Sequence, residues 1–253
     1  RFQCQHCRKS FSKQTFSTTY WLKRPELLHK IHDLTVNGMA NRQIARFLGC
    51  APSTVDNLIS RLGRHGMLYH LHLTRDMSPP DDIVLDGMVT FEYSKYFFVE
   101  IVLPVEKESS FIGHFGLAQR RRPGKMTEHQ KKKRDELEAR LGRPDPRAVE
   151  KATREVLEVC LKNADRVILR TDEHTDYPRA MRGLKCEITH RTTSSKDIRD
   201  RNNELFEANS LDRFLRHSSM NHTRDTLGFS RRIQCIGERM AVFMVWKNCA
   251  KRR

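Results

Sequence analysis

The sequence predicts an α/β protein in which a mixed sheet is flanked by helices and preceded by a small all-helical unit. Apolar residues recur at helical spacing between positions 26 and 66. From position 83 onward, short runs rich in Val, Ile and Phe are typical of strands. Helical and strand patterns then alternate to the end of the chain, which is the order of an α/β sheet. We therefore predict three units, which cover residues 1–24, 25–75 and 76–253.

The composition is that of a globular protein with a strongly basic surface. The 253 residues include 47 Lys and Arg against 31 Asp and Glu, a formal net charge of +16. With 38% hydrophobic residues, 12 Gly and 9 Pro, the chain is not fibrous, collagen-like or wholly disordered. Its longest apolar run, residues 240–246, is far shorter than the roughly 18–20 residues of a membrane span, which excludes an integral membrane protein. The charge favours a nucleic-acid partner, although a basic surface can also serve solubility alone.

The cysteines indicate reduced thiols rather than a disulfide framework. There are seven, an odd number, and no signal peptide is visible. Five of them are scattered without regular spacing: Cys50, Cys160, Cys186, Cys235 and Cys249. Such thiols usually behave as small core residues in a reducing compartment, so we expect a cytoplasmic protein.

The other two cysteines form a pair that is typical of a metal-binding knuckle. Cys4 and Cys7 are separated by two residues and flanked by Phe2 and Phe11. Two thiolates at this spacing bind one Zn²⁺, but a closed structural site needs four ligands. The chain starts at Arg1 rather than Met, so we expect that a second pair upstream completes a zinc ribbon. The alternative is a metal-free or redox-active pair.

Three short helices are predicted over residues 26–66. The first stripe of apolar residues ends at Asn37-Gly38, the second at Gly49, and the third begins at Pro52-Ser53. Two short helices across a glycine-containing turn form the helix-turn-helix pattern; a generic three-helix bundle is the alternative. The exposed face of the third helix carries side chains suited to bases or phosphates, namely Thr54, Asn57, Ser60, Arg61 and Arg64.

The remaining chain predicts the sheet and its helices. Residues 67–81 have linker character because they end in a cluster of turn residues. The predicted strands cover residues 83–93, 95–105, 111–117, 167–169 and the end of 181–188, and the predicted helices cover residues 146–163 and most of the chain from 202 onward, with a break near Gly228.

A basic stretch follows the third predicted strand. Residues 120–134 hold eight Lys and Arg, including Lys131 and Lys132, against one acid, Glu128. Such a run is often a solvated loop. Its place between the third strand and the helix that leads to the next strand favours a DNA contact.

Two predicted strands end at an aspartate, Asp86 and Asp172. Strand ends are where α/β sheets place their sites, because side chains there converge outside the sheet. A pair of carboxylates can hold two Mg²⁺ ions, which activate a nucleophile and stabilise the leaving oxygen in phosphoryl transfer. The alternative is that each aspartate only caps the following turn.

In order and spacing, these features resemble the DDE-class insertion-sequence transposases. The resemblance covers the Phe-Gln-Cys-Gln-His-Cys-Arg-Lys-Ser-Phe start, the helix-turn-helix pattern, Leu85-Asp86-Gly87, Thr171-Asp172 and the Arg-rich segment 224–231. It implies an N-terminal zinc ribbon, a helix-turn-helix domain and a ribonuclease-H-like catalytic core. It also implies that Asp86 and Asp172 are the first two catalytic acids.

The third catalytic position is implied by the same resemblance. In the family this residue, normally Glu, lies on a helix after the fifth strand and is followed seven residues later by Lys or Arg. Of the candidates Glu204, Glu207, Asn209 and Asp212, only Asn209 has such a partner, Arg216. We therefore predict Asp86, Asp172 and Asn209 as metal ligands, with Arg216 contacting DNA. An amide oxygen is still a Mg²⁺ ligand, though uncharged, and Asp212 is the alternative ligand.

The resemblance implies an active DNA transposase. It would bind terminal inverted repeats and target DNA as double strands, assemble as a homo-oligomer in the synaptic complex, use two Mg²⁺ ions and carry one structural Zn²⁺. We expect it in the prokaryotic cytoplasm, associated with the nucleoid. The alternative is a non-catalytic DNA-binding regulator derived from a transposase. Retention of both strand-end aspartates favours the enzyme.

Overall fold

The computed structural model describes residues 1–122, 124–194, 196–223 and 227–250. Its strands are β1 (Phe2–Gln3), β2 (Ser10–Phe11), β3 (Asp82–Phe91), β4 (Phe97–Glu106), β5 (Gly116–Arg121), β6 (Arg166–Thr171) and β7 (Glu187–Thr192). Its α-helices are α1 (Leu27–Val36), α2 (Asn41–Leu48), α3 (Pro52–Leu73), α4 (Glu128–Leu141), α5 (Ala148–Cys160), α6 (Asp176–Met181), α7 (Phe206–Ser218) and α8 (Ile233–Val245). In the described part of the chain, no helix has the length and apolarity that crossing a membrane requires.

Five strands form one mixed sheet in the order β5-β4-β3-β6-β7. β3, β4 and β5 are antiparallel neighbours, whereas β3, β6 and β7 run parallel. Helix α5 packs on β4 and β5 on one face, and α7 packs on β3 and β4 on the other. The mixed α/β prediction is therefore confirmed, and the sheet is compatible with a ribonuclease-H-like fold.

The core lies on both faces of the sheet. On the α5 face, Leu85 and Val102 pack with Leu157; on the other face, Met88 packs with residues of α7 and α8, including Leu215. Strand β4 is buried continuously over residues 99–105 because both of its faces are covered. This arrangement fixes β3, the central strand, which carries the first predicted acid.

Helices α1, α2 and α3 share a separate cluster that includes Ile31, Ile44 and Val55. The helices lie where the sequence predicts them, but their function as a helix-turn-helix domain stays a prediction. Helix α3 is longer than predicted and takes up residues 67–73, which had linker character. Its last turns are held because His70 is buried and its Nε2 lies 2.7 Å from the carbonyl oxygen of Gly113.

The basic stretch contains a helix that the sequence analysis missed. Thr127 and Gln130 form a capping box, with the Thr127 Oγ1 accepting from the Gln130 N–H at 3.3 Å, and α4 starts after Thr127. This Thr-x-x-Gln pattern is a helix-start signal that the basic residues had obscured. No residue of α4 is buried, so the helix lies on the surface along its whole length.

The third strand of the sheet is also shifted from its predicted place. It was predicted at residues 111–117 and lies at Gly116–Arg121, where Arg120 and Arg121 pair with Phe98 and Phe97. An edge strand tolerates charged side chains because part of it faces solvent, so its composition is a weak guide to its bounds.

Helices α3 and α8 cross at backbone distance. A Cβ placed on Gly63 would lie 2.5 Å from the carbonyl oxygen of Glu238 and 2.7 Å from its Cα. One turn later, a Cβ on Gly66 would meet the carbonyl oxygen of Ala241 at an ordinary 3.4 Å. Only the first of these two glycines is required by the crossing.

We predict that Gly63→Ala lowers the free energy of unfolding by about 1–3 kcal/mol, because backbone atoms must shift to admit the methyl group. Gly66→Ala is the matched control. It should be neutral or stabilise the protein by up to about 1 kcal/mol, since Ala favours a helix interior more than Gly does. Urea unfolding of both variants measures the difference; equal effects would contradict the close crossing.

Candidate functional site

The register of the sheet brings Asp86 and Asp172 side by side. Parallel strands β3 and β6 pair with Val84 opposite Arg170, and the two aspartates stand two residues beyond these partners. Asp86, predicted at a strand end, lies within β3, which continues to Phe91, and strand alternation puts it on the face that α7 covers. Asp172 directly follows β6, and its charge acts on Asp86, so the two carboxylates are near each other. The carboxylate of Asp86 accepts from the Gly87 N–H at 2.7 Å, and that of Asp172 accepts from the His174 N–H at 2.9 Å. Asp86 and Asp172 therefore form a pair of carboxylates on one face of the sheet.

Helix α7 adds a third carboxylate, Asp212. The helix buries Ala208, Leu211 and Leu215, and it packs on β3 and β4. Asp212 follows Ala208 by four residues and precedes Leu215 by three, so it lies on the sheet-facing side of the helix. Its charge interacts with that of Asp86, which places the two carboxylates near each other.

Burial, with repulsion from a neighbouring acid, raises the pKa of two of these acids. Burial raises the pKa of Asp86 to about 6; the Gly87 N–H opposes the rise and the charge of Asp172 adds to it. Burial raises the pKa of Asp212 to about 7, with repulsion from Asp86 adding to it and the charges of Arg216 and Arg199 opposing it. Negative charge is thus in excess at this site, and a bound cation would relieve it.

Asn209, the predicted third ligand, lies one turn before Asp212 on α7. Its Nδ2 donates to the carbonyl oxygen of Leu205 at 2.9 Å, which holds the amide along its own helix. The guanidinium of Arg216, its predicted partner, donates to the carbonyl oxygens of Val89 at 3.1 Å and His222 at 3.0 Å. Arg216 therefore ties α7 to β3, and its contact with DNA stays a prediction. Of the predicted segment 224–231, residues 224–226 lie outside the described residues.

An ion pair with one buried partner lies on the α5 face of the sheet, opposite Asp86, and was not predicted from the sequence. Glu100, only 1% exposed, pairs with Arg120 across β4 and β5. Its carboxylate occupies the space that a Cβ on Gly87 would need. The charge of Glu100 also adds to the raised pKa of Asp86. A single acid inside an apolar run, Val99-Glu100-Ile101, was the available signal.

The predicted zinc knuckle lies between β1 and β2. These strands pair Phe2 with Phe11, and the two rings stack at 5.5 Å. The Cys7 N–H lies 3.5 Å from the Sγ of Cys4, and the backbone N–H groups of Cys7 and His6 lower the pKa of that thiol. Within residues 1–122, 124–194, 196–223 and 227–250, no group of three or more His, Cys, Asp or Glu side chains is arranged as a metal site, either at the knuckle or at Asp86, Asp172 and Asp212. Zinc binding stays a prediction.

The predicted DNA-reading face of α3 is divided in the structure. Asn57 and Arg64 are exposed, and Thr54 is half-buried. Arg61 instead donates to the carbonyl oxygens of Thr18 and Tyr20, at 3.2 Å and 2.7 Å. Arg61 is thereby engaged within the protein.

A second part of that face packs against α8, where the Ser60 hydroxyl donates to Glu238 at 2.6 Å. The predicted DNA-contacting lysines on α4 are more accessible than Ser60 and Arg61 on α3. Lys131 and Lys132 are exposed, and Lys131 pairs with Glu128 at 2.6 Å.

A cavity of about 560 Å³ lies near the amino end of β3. Its walls include Leu71, Ile83, Phe111 and Val159, and none of the three carboxylates lines it. The carboxylates instead lie at the sheet face beside α7.

Comparison with known proteins adds little to this geometry. No protein-family model matches the chain. The chain is similar to one in the cryo-EM structure of the simian T-cell lymphotropic virus intasome in complex with PP2A regulatory subunit B56 gamma. The two are 14% identical, the match covers 89% of this chain and 73% of that one, and the TM-score is 0.30. A likeness this distant carries no argument about function.

We predict that Arg61→Ala lowers the free energy of unfolding by about 1–3 kcal/mol, because a charged donor to two carbonyl oxygens is lost. Arg64→Ala, an exposed arginine of the same helix, is the control and should change stability by less than about 0.5 kcal/mol. Chemical denaturation measures both. A neutral Arg61→Ala would contradict the contacts with Thr18 and Tyr20.

The raised pKa values of Asp86 and Asp212 predict a pH dependence of stability. Between about pH 4 and pH 7 the folded protein holds protons that the unfolded chain has lost, so these two acids make stability fall as the pH rises. Asp212→Asn removes one such group. Relative to wild type, it should gain on the order of 3 kcal/mol between pH 4 and pH 8.

Unfolding free energies of wild type and Asp212→Asn across this range measure the effect. Asp76→Asn, at an exposed aspartate between α3 and β3, is the control and should follow the wild-type profile. Parallel profiles for wild type and Asp212→Asn would contradict the burial of the Asp212 carboxyl under α7.

Proposed function

We propose that the protein is a metal-dependent DNA transposase that cleaves and joins DNA strands. The observation that carries this proposal is the convergence of Asp86, Asp172 and Asp212, from β3, the end of β6 and α7, on one face of the sheet. Burial raises the pKa of Asp86 and of Asp212, and the charge of a neighbouring acid adds to each rise, Asp172 for Asp86 and Asp86 for Asp212. Such a cost is retained where charge serves chemistry, so the cluster supports a catalytic site.

By donor type, the three acids suit Mg²⁺. Within the described residues they are not arranged as a metal site, and we propose that a cation draws them together. Carboxylate oxygens are the ligands that this cation prefers, and the excess negative charge supplies the attraction. When bound, Mg²⁺ ions would activate the attacking oxygen and stabilise the leaving oxygen of a phosphodiester. The residues of the chain would fix the ligand positions: Asp86 and Asp172 through the strand register, and Asp212 through the packing of α7.

We propose Asp212, rather than Asn209, as the third ligand. Asp212 interacts electrostatically with Asp86, whereas the Asn209 amide donates to its own helix at Leu205. A carboxylate also attracts a divalent cation by its charge, which a neutral amide does not. The seven-residue spacing from Asn209 to Arg216 no longer supports Asn209 as the ligand, because Arg216 donates to the carbonyl oxygens of Val89 and His222.

The basic surface supports DNA as the substrate. The net charge is +16, and exposed Arg64 on α3 and Lys131 and Lys132 on α4 are suited to phosphate contacts. Within this proposal, the protein binds terminal inverted repeats and target DNA as a homo-oligomer in the prokaryotic cytoplasm. A structural Zn²⁺ on Cys4 and Cys7 belongs to the same proposal and needs two further ligands.

We predict that Asp86→Asn, Asp172→Asn and Asp212→Asn each reduce Mg²⁺-dependent strand cleavage by about 10²-fold or more. Binding to the same DNA should stay nearly unchanged, because these acids contact the metal rather than the duplex. Asn209→Ala is the matched control on α7 and should keep cleavage within about threefold of wild type. The assay uses duplexes that carry the inverted repeats flanking the gene, over a Mg²⁺ titration.

Two other outcomes are informative. An inactive Asn209→Ala together with an active Asp212→Asn would return the third ligand to Asn209. Tight DNA binding by the wild type with no cleavage at any Mg²⁺ concentration would favour the non-catalytic regulator.

A further inference from the structure

One buried arginine bonds to two acids from the elements that carry the other carboxylates. The guanidinium of Arg170, on β6, is 7% exposed. Its Nε donates to both carboxylate oxygens of Asp82, at 2.8 Å and 3.1 Å, and its Nη2 donates to the Asp82 Oδ2 at 2.8 Å. Its Nη1 lies 2.6 Å from the Oε1 of Glu204. One side chain therefore joins β6, β3 and the start of α7.

Each member of this trio stands close in sequence to one acid of the proposed site. Arg170 precedes Asp172 by two residues on β6, and Asp82 precedes Asp86 by four residues on β3. Even spacings along strands keep all of them on the same face of the sheet. Glu204 comes just before α7, which carries Asp212 two turns along.

Apolar packing alone does not fix this geometry. Val84 packs against Leu205 and Ala208 beside the trio, and such contacts are non-directional. A planar guanidinium that bonds one carboxylate with two nitrogens and a second carboxylate with the third sets both distance and orientation. A buried ion pair is weak support for stability, since its desolvation offsets much of the attraction. The contribution of these ion pairs is therefore to hold β3, β6 and α7 in one relative arrangement.

We propose that Arg170 is a positioning residue that sets the spacing of Asp212 relative to Asp86 and Asp172. This inference rests on the proposed function, because it concerns the metal ligands of that site. The trio carries one positive and two negative charges, so it adds no attraction for an anionic substrate. Arg170 acts through Asp82 and Glu204, which hold β3 and α7 against β6.

The test is Arg170→Lys, which keeps the charge and loses the planar fork. The matched control is Arg121→Lys, since Arg121 makes the same kind of two-nitrogen contact with Glu138, at 2.7 Å and 3.0 Å, on the edge strand β5. Mn²⁺ titrated into each protein without DNA gives the metal affinity. We expect Arg170→Lys to weaken Mn²⁺ binding by about 10–100-fold and Arg121→Lys to leave it unchanged.

A second readout separates positioning from a loss of folded protein. The Mg²⁺ concentration for half-maximal cleavage should rise in Arg170→Lys, and excess Mg²⁺ should restore most of the rate. A purely structural role would lower the rate equally at every Mg²⁺ concentration. If Arg170→Lys does not fold, Glu204→Gln replaces it, because this change leaves the Arg170–Asp82 pair in place. We expect Glu204→Gln to weaken Mn²⁺ binding by about tenfold.

The possible results distinguish this inference from the function on which it rests. If wild type binds no Mn²⁺, the proposed metal site fails, and the role of Arg170 fails with it. If wild type binds Mn²⁺, and the folded Arg170→Lys and Glu204→Gln variants bind it equally well, the positioning role is overturned while the metal site stands.

Discussion

The parallel pairing of β3 with β6 is the constraint on which the candidate site depends. Val84 stands opposite Arg170, and this register sets Asp86 beside Asp172. A slip of one residue would turn one aspartate to the opposite face of the sheet, where α5 packs. The slip is opposed because β3 is central, with β4 on one side and β6 on the other, and both of its faces are covered. The fold thus fixes the alignment of Asp86 and Asp172 on which the proposed site depends.

The cost of this alignment is electrostatic. Asp86 and Asp212 are partly removed from water, and this burial raises the pKa of both carboxyls. The charge of Asp86 raises the pKa of Asp212 further. Apolar packing of α7 through Leu211 and Leu215 holds Asp212 at the sheet despite that repulsion. A cation that binds only the folded state would stabilise it in proportion to its affinity. The site and the stability of the fold are therefore coupled through the same charges.

The sequence was sufficient for features that depend on local pattern. Asp86 and Asp172 were singled out because each follows an apolar run in the sequence, and the sheet pairs the strands that carry or precede them. Their catalytic role stays a prediction. Asn209 was preferred to Asp212 on the seven-residue spacing to Arg216. The choice between them depends on how α7 is rotated against β3, which follows from where Leu205, Ala208 and Leu215 pack. That rotation is a tertiary property.

Other features could not be predicted for the same reason. Arg61 faces the right side of α3 for a DNA contact, but residues 18–20 lie against it and accept its hydrogen bonds. Nothing in the local sequence distinguishes Arg170 from other strand residues, because its partners Asp82 and Glu204 are brought to it only by the packing of β3 and the start of α7. The missed helix α4 differs, since its capping box was present in the sequence and was outweighed by the run of basic residues.

The most direct test is the number of protons released when Mg²⁺ binds. If the buried carboxylates form one cation site, their protons must leave as the cation enters. Calorimetric titration of Mg²⁺ at pH 6.5, in two buffers of different ionisation enthalpy, gives that number. We expect release on the order of one proton per protein, and a smaller release in Asp212→Asn. Binding without proton release, or no binding at any accessible Mg²⁺ concentration, would contradict it.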